Sequence, residues 1–171
     1  MLENRVSKYQ GKYINTSEES LNGHIYERSG LMENVSVMPV EGDKVLFMHE
    51  YRGYEKRSRW KLVTGWCDKK HLSVIEHGQE ELAEELGLQA AQWSEIYYAS
   101  HFNATLDINS HYLVCRDVSK LEYPVENPDS GEEVLDSAWL SFDMIIEKIT
   151  AGEMILDTDV AVVLWFLKKT E

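Results

Sequence analysis

The sequence predicts a mixed α/β sandwich, and three observations carry that expectation. Short runs rich in β-branched and aromatic residues fill the first third of the chain and return in its middle. One amphipathic helical stretch separates the two groups. Two further helical patterns close the chain. Strands, then a helix, then strands, then helices is the order of a sheet covered on both faces. With 171 residues the chain is of single-domain size, and 43% hydrophobic with 27% charged residues is ordinary globular composition.

Residues 8–14 and 24–28 read as two short strands around a polar loop at 15–23, a small unit that needs a larger body to pack on. Residues 35–40 and 44–49 are strands joined through Glu41-Gly42-Asp43, a strong hairpin signal. A polar loop at 51–59 concentrates Arg52, Lys56, Arg57 and Arg59, which reads either as a solvated loop or as an anion site. Residues 60–64 form another strand, and 65–70 lead into the helix. That helix runs from Leu72, with Ile75, Leu82 and Leu86 on its apolar side, and Gly87 ends it in the left-handed conformation. Strands follow at 94–99 and 110–116, with a polar loop at 101–109 between them. Residues 120–131, with two of the three prolines, form an irregular loop. Residues 133–140 return as a strand, and 142–151 are a helix stopped by Gly152. Asp157 or Thr158 caps a last helix that is apolar nearly all round and therefore buried.

The formal charge of −13 argues against a nucleic-acid backbone as partner, since no basic cluster offsets it. No apolar run is long enough to cross a bilayer, and the first ten residues lack a secretory apolar core. Cys67 and Cys115 are too few for a disulfide framework or a zinc site, so a reducing cytoplasm is the expected setting.

Glu81, Glu84 and Glu85 share one face of the first helix, because neighbours three and four apart lie together. Crowded carboxylates repel one another. Two arrangements answer that repulsion: a solvated acidic surface, or a divalent cation held by oxygen ligands.

At this point the chain resembles the Nudix hydrolases. Their signature contains a glycine, then a glutamate, then Arg-Glu-U-x-Glu-Glu-x-Gly-U, with U apolar. Here Glu81, Leu82, Glu84, Glu85, Gly87 and Leu88 stand in register with its second half. Glu50-Tyr51-Arg52 is similar to the Gln-Tyr-Arg of the ADP-ribose and nucleotide-sugar pyrophosphatase branch. Trp60-Lys-Leu-Val-Thr-Gly65 is similar to that branch's Trp-Glu-Leu-Pro-Ala-Gly. Residues 133–157 and the final helix extend the resemblance to nearly the whole chain. It departs in the signature's first half: Glu80 stands where the family has Arg, Leu72 where it has the first Glu, and Gly65 lies one residue farther from the helix. Lys61, Thr64 and His101-Phe102 also differ from the branch pattern.

The resemblance implies a Nudix-type α/β/α sandwich with a mixed sheet over residues 31–171. Residues 1–30 would be an N-terminal β-hairpin extension of the kind the branch uses for homodimers. It implies metal-dependent hydrolysis of a nucleoside diphosphate linked to another moiety, in the ADP-ribose or nucleotide-sugar class, to a nucleoside monophosphate and a sugar phosphate. Glu81, Glu84 and Glu85 would hold Mg²⁺ or Mn²⁺, with the carbonyl of Thr64 as a further ligand. Glu133 would serve as general base, with Glu132 and Asp129 as its neighbours. Arg52 would bind a phosphate or a terminal ribose, and Tyr51 and Tyr54 would offer faces for a base. His77, one turn before Glu81, is a candidate to replace the missing Arg, whereas His101, His111 and Cys67 have no role in this reading. The degenerate signature leaves a second reading, a weak or inactive domain that binds a nucleotide or regulates a partner.

Overall fold

The computed structural model describes residues 5–53, 55–102, 105–123, 125 and 132–170, with the backbone alone at 101, 102, 132 and 133. Ten strands and three helices follow in the expected order among these residues. They are β1 (Arg5–Gln10), β2 (Ile14–Leu21), β3 (His24–Leu31), β4 (Asn34–Glu41), β5 (Lys44–Arg52), β6 (Arg57–Lys61) and β7 (Val63–Trp66). After them come α1 (Val74–Leu86), β8 (Leu88–Phe102), β9 (Leu106–Lys120), β10 (Glu132–Ser141), α2 (Phe142–Thr150) and α3 (Thr158–Thr170).

The sheet runs β1-β2-β3-β9-β4-β5-β10, with β6 on β5, β7 on β4 and β8 on β9. It is mixed: β9 lies parallel to β3 and β4, and the other pairs are antiparallel. β4 meets β5 only at Val40↔Val45 and Glu41↔Lys44, beside the Gly42 turn, while its first half pairs with β7. The two ladders therefore part beyond that hairpin. The chain crosses from one to the other at Leu62, which is fully buried.

Alternation along the strands sorts the core onto two faces. Val37, Met48, Val63 and Cys115 pack with Leu82 of α1. On the other face Met38, Val40, Phe47, Tyr112, Val114 and Leu140 pack with Ile145 of α2 and with Val160, Val163 and Leu167 of α3. This is the α/β/α sandwich with a mixed sheet that was expected. None of the helices among the described residues is long and apolar enough to cross a membrane.

Several expected boundaries are corrected. The stretch read as a loop at 15–23 is mostly β2, paired along its whole length with β3. Its polar residues have partners: buried Glu19 accepts from Arg28 Nε at 2.6 Å, and Arg5 Nε donates to Ser17 Oγ at 2.9 Å. The hairpin closes through Asn22 (φ 52°) and Gly23 (φ 80°), a turn that needs two left-handed residues in succession. The supposed loop at 51–59 is a tight hairpin, because β5 runs to Arg52 and β6 starts at Arg57. Gly65 belongs to β7 rather than to the following loop, and β8 and β9 extend into the segment read as a loop at 101–109.

The helix α1 starts after Leu72, not at it. Ser73 caps it: Glu76 N–H donates to Ser73 Oγ, and Ser73 N–H donates to Glu76 Oε2 at 2.6 Å. Gly87 ends it at φ 63°. The inward residues are His77, Gly78 and Leu82. Gly78 is required by close approach, since a Cβ there would lie 2.5 Å from Leu113. Asp157 caps α3 by accepting from Val160 N–H at 3.0 Å. That helix is buried on one side only, with Trp165 on its exposed side.

Candidate active site

Helix α1 presents Glu80, Glu81, Glu84 and Glu85, all partly buried, with no basic residue in its last turn. Glu81 meets a neighbouring strand. It lies against the backbone of β7 at Gly65, where an added Cβ would overlap its carboxyl carbon. Burial first, and then the charges of Glu84 and Glu85, push Glu81 up to about 7, while Lys69 opposes the shift. Glu84 and Glu85 are close enough to raise the proton affinity of Glu81. Even so, among the described residues no three His, Cys, Asp or Glu side chains converge closely enough to hold a metal ion.

The cation beside this face comes from the preceding loop. Lys69 Nζ lies 2.5 Å from Glu80 Oε2, and Glu80 and Glu84 hold its ammonium above the usual lysine range. The loop backbone is fixed at the same residue: buried His77 donates from Nε2 to the Lys69 carbonyl oxygen at 3.1 Å. The expectation that His77 stands in for the missing Arg is therefore corrected. It holds the loop, and Lys69 makes the ion pair. Cys67, in the same loop, is pushed up to about 11 by burial and by Glu33 and Glu81, which leaves it a poor nucleophile at neutral pH.

A second charged group lies on β5. Glu50 is fully buried, and its Oε2 accepts from Arg52 Nε at 2.8 Å and sits 3.3 Å from Lys61 Nζ. Met48, Glu50 and Arg52 alternate onto one face of the strand. Met48 packs with Leu82, and Val134, opposite Glu50 in β10, packs in that same cluster. Glu50 and Arg52 thus belong to the α1 face of the sheet. Tyr51, between them, alternates to the other face and is 39% exposed.

Arg57 and Arg59 share the single carboxylate of Glu55, so half the charge of these two of the four cations considered for an anion site is offset. In the ladder Glu133 lies opposite Tyr51 and Glu132 opposite Arg52. Their side chains, with Asp129 and Tyr54, lie outside the described residues. Thr64 lies opposite Ser36 in β7, next to the glycine that Glu81 touches.

Sequence reasoning missed Glu50 as a buried acid and Lys69 as the partner of Glu80. The alternation Met48-x-Glu50 on a strand flagged the first. The extra residue in the loop that carries Lys69 flagged the second.

No family model matches the chain, and no curated protein sequence matches it. Among solved structures the fold is similar to one described as "Crystal structure of ADP compounds hydrolase". The TM-score is 0.76 at 17% sequence identity, over 99% of this chain and 92% of that one. At that identity the likeness establishes the fold alone, a mixed sheet with helices on both faces.

Proposed function

We propose that the chain is a metal-dependent pyrophosphohydrolase acting on a nucleoside diphosphate linked to a second moiety, of the ADP-ribose or nucleotide-sugar class. The observation that carries this reading is the cluster of Glu81, Glu84 and Glu85 on α1, with Glu81 seated against Gly65 and its proton affinity raised by its neighbours. Such a carboxylate has more to gain from a hard divalent ion than an ordinary surface acid has. Glu81, Glu84 and Glu85 would hold Mg²⁺ or Mn²⁺, with the carbonyl of Thr64 as a candidate fourth donor. When bound, the ion supplies charge neutralisation of the diphosphate and activation of the attacking water.

The other roles fall to side chains of this chain. Arg52 would bind a substrate phosphate through its planar guanidinium, which Glu50 orients from below. Tyr51 alternates to the sheet face away from Arg52 and α1, so it is left out of this site. Glu133 is the proposed general base, with Asp129 near it in sequence and Glu132, the ladder partner of Arg52, as its alternative. The products would be a nucleoside monophosphate and a sugar phosphate. The outer edge of β1, unpaired among the described residues, and the exposed apolar side chains of β1–β3 support a homodimer formed through residues 1–30, and the two free cysteines suit a reducing cytoplasm.

A second reading is a domain that binds a nucleotide or a partner protein without turnover. It is favoured by Glu80 and Leu72, which stand where the signature that the sequence resembles has an arginine and a glutamate. One experiment separates the two: chromatography of products from ADP-ribose and a panel of nucleotide sugars with Mg²⁺ or Mn²⁺, for wild type and Glu85→Gln. Turnover in the wild type and a loss on the order of a hundredfold in Glu85→Gln is the expected result. Binding of nucleotide without turnover would establish the second reading. An undiminished Glu85→Gln would remove the metal assignment while leaving the enzyme.

A further inference from the structure

The N-terminal strands reach the acidic helix through a continuous set of contacts. The β1–β2 turn is closed by Gly11 N–H donating to the Ile14 carbonyl at 2.8 Å, and it is tied back by Met32 N–H donating to the Tyr13 carbonyl at 2.8 Å. From this turn the Tyr13 ring stacks on Trp66, with centroids 5.6 Å apart at 28°. Lys12 Nζ lies 3.2 Å from Asp68 Oδ2 and 4.5 Å above the Tyr13 ring.

Both targets belong to the segment that leads into α1. Trp66 is the last residue of β7 and follows Gly65, the glycine that Glu81 touches. The next backbone amide, Cys67 N–H, donates to the Glu33 carbonyl at 2.8 Å. Farther along, Leu72 N–H donates to the Lys69 carbonyl at 3.0 Å, and that same oxygen accepts from His77. The segment is thus held at its start by the N-terminal unit and at its end by the helix.

We propose that Tyr13, with Lys12, acts as a positioning residue for the α1 carboxylates, by clamping Trp66 and Asp68 and so fixing the segment between β7 and α1. An aromatic pair stabilises beyond the area it buries. That is enough to shift a local opening equilibrium several-fold while leaving a two-layered core folded. The surface ion pair of Lys12 adds less. The Tyr13 ring is therefore the part to test. The metal arm of that test rests on the function proposed above, and the exchange arm does not.

Hydrogen exchange and Mn²⁺ titration of the full chain test the clamp, in wild type, Tyr13→Ala and Tyr13→Phe. In Tyr13→Ala, exchange should rise about threefold to tenfold at the amides of Cys67, Leu72 and His77 and stay unchanged at Val37 and Leu113 in the core. Mn²⁺ affinity should fall by a similar factor. Tyr13→Phe keeps the ring and should restore both. Unchanged exchange at those three amides overturns the proposal. An equal rise in the core also overturns it, because the residue would then be merely structural. If the wild type binds no Mn²⁺, the metal reading fails, and the exchange pattern alone decides the clamp.

Discussion

Lys69 and Glu80 form an ion pair that joins the loop before α1 to the helix itself, with the cation on the loop and the acid on the helix. Where the signature that the sequence resembles has an arginine, position 80 is an acid, and the cation comes from the loop instead. The loop that supplies the lysine is the one with the extra residue. Lys69 also faces Glu84 and offsets part of the repulsion on Glu81. Lys69→Ala should move the Glu81 titration to higher pH, followed by carbon NMR of the side-chain carboxyl. Because both partners are half exposed, stability should change by less than about 1 kcal/mol. The exchanged pair Lys69→Glu with Glu80→Lys should return the titration toward wild type. A Glu81 titration that ignores Lys69→Ala would show that Lys69 is not the counter-charge.

The dimer proposed through residues 1–30 rests on what β1–β3 leave uncovered. Every residue of β1 is exposed, and Val6, Tyr9, Leu21 and Ile25 are each more than half exposed. An edge strand with exposed apolar side chains is a template for pairing with another chain, here on either side of the irregularity between Ser7 and Tyr9. Sedimentation of the full chain should give the mass of two copies. Ile25→Lys with Val6→Lys should give one copy without loss of the folded signal. A wild-type monomer at high concentration would refute this use of the unit.

Local signals located most of the fold. Glu41-Gly42-Asp43 marked the β4–β5 hairpin, and Gly87 and Gly152 marked two helix ends, because a left-handed residue is readable from one position. β2 was hidden by its composition. Ser17 and Glu19 look like loop residues, and their burial depends on Arg5 and Arg28, which lie outside the strand. The Asn22-Gly23 turn was visible, and so was the Ser73-x-x-Glu76 cap, but an emphasis on apolar periodicity passed over both. The site divides in the same way. The spacing of Glu81, Glu84 and Glu85 is a property of one helix and is legible. The contact of Glu81 with Gly65, the pairing of Lys69 with Glu80 and the burial of Glu50 between Arg52 and Lys61 join separate elements. Alternation marks Glu50 and the longer loop marks Lys69, but no local pattern encodes the partners that each of them meets.

Glu81 gives the chain a pH dependence whose sign is opposite to that of most native carboxylates. Its ordinary value is 4.5 and its folded value about 7. Below about pH 4.5 it is protonated in both states and contributes no difference. Between about 4.5 and 7 the folded chain keeps a proton that the unfolded chain has released, so stability falls as pH rises through that window, and above it the cost is constant. The partly exposed site screens the cost to on the order of 1–2 kcal/mol. Thermal melts with chelator should show Glu81→Gln more stable than wild type above pH 7 and equal to it near pH 4. A divalent ion competes with this proton, so Mn²⁺ should stabilise the wild type more at the alkaline end and release a proton on binding below pH 7. Equal pH slopes for wild type and Glu81→Gln would mean that Glu81 is ionised throughout and that Gly65 leaves it open to water.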